Sequence, residues 1–158
     1  MTSSKSYSLE EQIQRTGVIV ERFSEIEQLI NTVIFNYIAP ILDAEKFVKL
    51  NLLDNSVVSF GAKIKLLQVI NKNINGDFIN RDKFHRLLSI RNAFAHNNVG
   101  NNLEIEPSEE NLSEIYFYIE SMKGDGSIVR TRRDDAYTEF WALYLELLRS
   151  LQEFIKAV

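Results

Sequence analysis

The sequence predicts a mainly α-helical protein of four main helices, with a short antiparallel β insertion before the last helix. Three observations carry this. An apolar seam at Ile19, Phe23, Ile26, Ile30, Val33 and Tyr37 steps 4, 3, 4, 3, 4, which is one face of a helix. Positions 137, 140, 141, 144, 147, 148, 151, 154 and 155 repeat the i, i+3, i+4, i+7 pattern of a buried helix. Between them, Leu103–Glu106, Ile115–Ile119 and Ser127–Arg132 alternate with the period of a strand.

Each element has its own signal. Ser8 followed by Glu11 is a capping box that starts the first helix. Val20, Leu29 and Ile34 widen its apolar face, and Pro40 ends it. A short helix is expected from about Ile41 to Leu53, broken by Asp54-Asn55-Ser56. Phe60 to Ile70 begins the next helix, closed by the polar turn Asn73–Gly76. A third long helix is expected from about Asn80 to Asn98, with Asn97, Asn98 and Gly100 suited to a left-handed C-terminal cap. Lys123-Gly124-Asp125-Gly126 suits a hairpin turn. The last helix runs from about Asp134 to Ala157, with Asp134 and Asp135 in its first turn. No repeat or linker interrupts residues 1–158, so one domain is expected, packed as a helical bundle.

Composition narrows the function. There are no cysteines, which excludes disulfides and thiolate metal sites. Two histidines without HExxH spacing give no zinc site, and neither metal nor cofactor is expected. No apolar run approaches the ~18 residues of a membrane span, and Met1–Ser8 lacks the apolar core of a signal peptide. A cytoplasmic protein without membrane contact is therefore expected. The net charge of −4 speaks against a general nucleic-acid binder. Yet Ser59–Val99 holds seven basic residues and two acids, a local +5, which leaves −9 elsewhere. Such a basic region admits a polyanion at one place. Lys63, Lys65 and Arg86 are its candidate RNA contacts. The plain alternative for each is a solvated helix face.

The run Arg91-Asn92-Ala93-Phe94-Ala95-His96 concentrates the chemistry. Histidine titrates nearest neutral pH, and a guanidinium is the side chain best shaped for phosphate. On a helix, Phe84, Leu88, Arg91 and Ala95 form one stripe, so Arg91 takes an apolar position, with Leu87, Ile90 and Phe94 flanking it on the adjacent line. It must then face a carboxylate such as Glu25 or Glu27, a carbonyl, a partner chain or a substrate phosphate. His85, Ser89, Asn92 and His96 form a second, polar stripe, with His85 read as a surface residue. Arg91 and His96 lie about 140° apart around the axis and about 7.5 Å along it. They flank a groove that another element or a second copy of the helix would complete. His96 falls in the last turn, where the dipole favours an imidazolium. The plainer role for it is a cap on the final carbonyls. Tyr116 and Tyr118, with Arg130, Arg132 and Arg133, either extend an RNA surface or belong to a sheet that covers one end of the helices.

Arg91 to His96 resembles the arginine, four-to-six residues, histidine motif of the HEPN superfamily (higher eukaryotes and prokaryotes nucleotide-binding domains). A polar residue after the arginine, here Asn92, is typical of that family, as is a motif late in an all-helical core. More narrowly, Ser59–Leu66 followed by Leu88–His96 resembles the branch containing the mannitol operon repressor proteins. The resemblance implies a HEPN-like bundle. For many members it also implies metal-independent cleavage of RNA by a homodimer, often as a toxin or phage-defence effector. His96 would then handle the proton of the attacking 2′-hydroxyl or of the leaving oxygen. Arg91 would neutralise the phosphorane-like transition state, and Asn92 would position the phosphate or His96. Two facing motifs would supply one His96 as base and one as acid, leaving a 2′,3′-cyclic phosphate and a 5′-hydroxyl. A toxin would have an antitoxin partner.

Many toxin members carry a tyrosine two residues after the histidine, where this chain has Asn98. The resemblance therefore also implies an alternative, a non-catalytic regulatory module that binds a nucleotide or a partner protein. A third reading is a structural dimerisation domain whose motif match is accidental.

Overall fold

The computed structural model describes residues 8–38, 48–107, 113–122 and 126–158. They form a mainly helical protein with a small three-stranded antiparallel sheet before the last helix. The first helix, α1 (Leu9–Ile38), starts at the expected capping box. The Ser8 N–H donates to Glu11 Oε2 at 2.7 Å, and the Glu11 N–H donates back to Ser8 Oγ at 3.2 Å. Pro40 and most of the expected short helix lie outside the described residues. What is described of that helix is a π-helical turn, Val48–Leu52. Asp54 follows it and accepts the Ser56 N–H at 2.8 Å, an Asx turn that ends the element.

The second long helix, α2 (Phe60–Asn73), is capped by Ser59. Its exit turn is organised by one side chain. Asn71 Nδ2 donates to the Gly76 carbonyl at 2.9 Å, while Asn71 Oδ1 accepts the Phe78 N–H at 3.0 Å. Asn75 takes the left-handed conformation there, with φ 51°. Asn80 caps the third long helix, α3 (Arg81–His96), through the Lys83 N–H at 3.3 Å. A 3-10 turn, Val99–Asn101, leads to β1 (Leu103–Pro107), β2 (Ser113–Met122) and β3 (Ile128–Arg132). The strands pair in the order β1-β2-β3, with Leu103 opposite Phe117 and Tyr118 opposite Arg132. Of the expected hairpin turn, 123–125 lie outside the described residues, and Gly126 has φ 84°. The last helix, α4 (Arg133–Ala157), follows β3 directly. No helix among the described residues is long and apolar enough to cross a membrane.

The chain divides into two compact units. The first contains Leu88–Ala142 and the described residues up to Glu21. Ile19, Ile90, Phe94, Phe117, Ile119 and Phe140 are buried there. Its sheet has one apolar face, through Phe117 and Ile119, and one polar face on which Arg130 stacks on Tyr118 and Arg132 on Tyr116. The second unit contains Arg22–Leu87 and Leu143–Val158. Phe23, Ile26, Ile30 and Val33 of the predicted seam are buried in it, with Ile64, Leu67, Phe84, Leu147 and Phe154. Each such side chain contributes about 1.5–3 kcal/mol on burial. Tyr37 is exposed, so the buried part of the seam stops at Val33.

Two expectations about α3 are corrected. Its buried line runs from Phe84 through the flanking Leu87, Ile90 and Phe94, each one position before Leu88, Arg91 and Ala95. Arg91 thus sits half-buried at the flank of the seam. The helix end carries no left-handed cap, since neither Asn97, Asn98 nor Gly100 has positive φ. Asn97 closes the helix through its side chain instead.

Candidate functional site

The motif Arg91–His96 lies in the first unit, on the last turns of α3. Arg91 donates from Nη1 to Asn92 Oδ1 at 3.1 Å, and it has a further partner. Both residues are half-buried. Glu25, one carboxylate considered for Arg91, accepts from Arg22 and Tyr144, and Glu27 accepts from Asn55. His96 is exposed, and no hydrogen bond or ion pair engages it among the described residues.

Asn97 caps the carbonyls in place of His96. Its Nδ2 donates to the Ala93 carbonyl at 2.7 Å and to the Glu120 carbonyl at 3.0 Å. Its Oδ1 accepts from Asn102 Nδ2 at 3.0 Å and from the Glu120 N–H at 3.1 Å. All four hydrogen-bonding positions of the amide are used. This ties the residue after His96 to the middle strand of the sheet.

Phe94 anchors the motif from inside. The Arg133 guanidinium lies 4.3 Å from its ring centroid, and Tyr137 packs at 6.5 Å with the rings tilted. Arg15 stacks on Tyr137 in turn, at 4.5 Å. Arg133 is fully buried. It donates from Nε to Gln12 Oε1 at 3.2 Å and from Nη2 to Thr16 Oγ1 at 2.7 Å, while Nη1 has no hydrogen-bond partner among the described residues. Burial, then the nearby Arg15, pushes its pKa down to about 10 against the pull of Asp134, so it remains charged at neutral pH. Asp134 itself is held by Arg15 and by Gln12 Nε2. The surface reading of Arg133 is therefore corrected, because a guanidinium with no exposed area cannot contact RNA. Arg130 and Arg132 stay on the polar sheet face, where Arg130 is paired with Glu104.

The candidate RNA contacts are spread unevenly. Lys63, Lys65 and Arg86 all belong to the second unit, whereas the motif belongs to the first. Lys65 is exposed and Arg86 is half-buried with a partner. Lys63 is buried, which corrects its placement on an open basic surface. Burial pushes its pKa down, opposed by Glu27 and Asp54. His85 is half-buried, and its Nε2 accepts from Arg81 Nε at 3.2 Å.

A sequence signal for the buried arginine existed. Arg133 is in phase with the buried line Ala136, Phe140, Tyr144, Leu147, Leu151 and Phe154 of α4. Thr16 and Gln12 continue the α1 seam backward from Ile19 in steps of 3 and 4. Polar residues in phase with an apolar seam mark a buried polar contact.

No family model, curated protein or solved structure matches this chain.

Proposed function

We propose that the chain is a HEPN-type, metal-independent endoribonuclease that cuts RNA by 2′-hydroxyl attack at a site completed by a second copy. The observation that carries this reading is the division of labour at the end of α3. Asn97 caps the helix, and His96 beside it stays exposed and unengaged, one helical stretch from Arg91 and Asn92. A histidine used only as a cap would occupy those carbonyls. In this reading His96 moves the proton, Arg91 stabilises the charge that develops on the phosphate, and Asn92 orients Arg91. Phe94, held by Arg133 and Tyr137, keeps the segment in place.

A second reading rests on a different observation. Arg91 is half-buried and already spends Nη1 on its neighbour Asn92, as a residue in a regulatory module that binds a nucleotide or partner protein would.

Cleavage of a labelled structured RNA in EDTA, comparing wild type with folded His96→Ala, separates the two. Wild-type cleavage with 2′,3′-cyclic phosphate ends that is lost in His96→Ala is expected. Equal cleavage by both proteins, or none by wild type across several RNAs, sinks the nuclease reading.

A further inference from the structure

The second unit contains a cavity whose polar lining is incomplete. Lys63 is 1% exposed, and its Nζ makes no direct hydrogen bond or ion pair among the described residues, while Glu27 and Asp54 act on it through space. It lines an open pocket of about 220 Å³ together with Asn31, Glu27, Asp54, Leu50 and Leu53. Asn31 Oδ1 is buried in the same lining and accepts no hydrogen bond among the described residues. Buried polar atoms in native proteins are nearly always satisfied. Here a largely buried ammonium without a direct partner and an unsatisfied amide oxygen line one pocket.

The surrounding charges select the occupant. Glu27 accepts from Asn55, and Asp54 from Ser56, so neither is spent on Lys63 by contact. With Lys49 included, the lining carries two cations and two anions. A simple anion would satisfy Lys63 but would oppose Glu27, Asp54 and the Asn31 oxygen. A simple cation would satisfy those three and be repelled by the lysines. A molecule with an anionic and a cationic end meets both demands. Leu50 and Leu53 add an apolar strip for a side chain, and the volume suits one molecule of amino-acid size.

We propose that this cavity binds a small zwitterion, an α-amino acid, with its carboxylate on Lys63 and its ammonium on Asn31 Oδ1. The site is independent of the RNA reading, since the motif residues take no part in it. The Lys63 ammonium, desolvated by burial, gains most from a carboxylate. Glu27 and Asp54 then steer the ammonium end.

The test is a thermal-shift and calorimetric titration of the whole chain with each common L-amino acid. The matching amines and carboxylic acids, which lack one of the two charges, serve as controls. At least one amino acid should raise the melting temperature saturably, and the single-charge analogues should not. Lys63→Met should stay folded, because it replaces a buried ammonium that makes no direct ion-pair contact by an apolar side chain of similar length. It should lose at least tenfold in affinity, as should Asn31→Leu. Three results overturn the proposal: no amino acid binds wild type, the carboxylic acids alone bind as well, or Lys63→Met binds undiminished. If Lys63→Met fails to fold, the single-charge controls and Asn31→Leu decide.

Discussion

Asn97 and Glu120 are joined by two hydrogen bonds running in opposite directions, 3.0 Å from Asn97 Nδ2 to the Glu120 carbonyl and 3.1 Å from the Glu120 N–H to Asn97 Oδ1. A side-chain amide here imitates the backbone of a neighbouring strand. Asn97→Ala is expected to cost about 2 kcal/mol, less than four full hydrogen bonds because water can reach part of the site. Urea denaturation followed by Trp141 fluorescence measures it. A loss below a few tenths of a kcal/mol would show that the amide is not a structural tie.

Arg133 gives a prediction in which shape and charge are separated. Arg133→Ala leaves Gln12 and Thr16 without their donor and uncovers Phe94, at an expected cost of about 3 kcal/mol or more. Arg133→Met keeps the volume and removes a charge that is already desolvated, so it should cost clearly less. Equal losses for the two variants would mean that the charge itself supplies the stability.

Two glycines should respond with opposite sign to the same substitution. A Cβ on Gly76 would lie 2.7 Å from the Phe78 ring and 2.8 Å from Asn71 Oδ1, so Gly76→Ala must displace the side chain that builds the turn. A cost of about 1–3 kcal/mol is expected. Gly17 lies inside α1 with nothing within 4 Å of its Cβ position. Gly17→Ala should add about 0.5–1 kcal/mol, since alanine loses less backbone entropy in a helix. Thermal melts of both variants beside wild type provide the comparison.

The Glu25 carboxylate is held below the usual range first by the Tyr144 hydroxyl, at 2.7 Å, and then by Arg22, at 2.9 Å. Its folded pKa is depressed, so the stability it adds is fully present above the unfolded value. That stability is lost as pH falls through the lower folded value. Wild type should therefore lose more stability than Glu25→Gln on acidification below about pH 4.3, the ordinary glutamate value. Parallel curves for the two proteins across that window would refute the linkage.

Regular periodicity was the legible part of this protein. The Ser8–Glu11 box, the Ile19–Val33 seam and the three alternating strands all follow from local spacing, and local spacing is what sequence records directly. The phase of α3 was harder to read. Leu87 and Leu88 are equally apolar, and only tertiary packing selects Phe84, Leu87, Ile90 and Phe94 as the inner line. Lys63 shows the same limit from the other side. It is in phase with the buried Phe60, Leu67 and Ile70 of α2, but its charge alone suggests a surface. Within the candidate site, Arg91, Asn92 and His96 were visible as residue types. The four bonds of Asn97 depend on a strand more than twenty positions away, and no local pattern encodes them.

Two helices packed along plain apolar seams can slide past each other by a turn at modest cost, because one leucine replaces another. The start of α1 and the start of α4 are keyed against this. Arg133 reads the Gln12 side-chain oxygen, its backbone carbonyl and the Thr16 hydroxyl. A shift of α1 by one heptad, two turns, would set the guanidinium against Ile19, which offers no side-chain acceptor. The buried arginine thus spends stability to fix alignment, and Phe94 takes its position from that aligned pair.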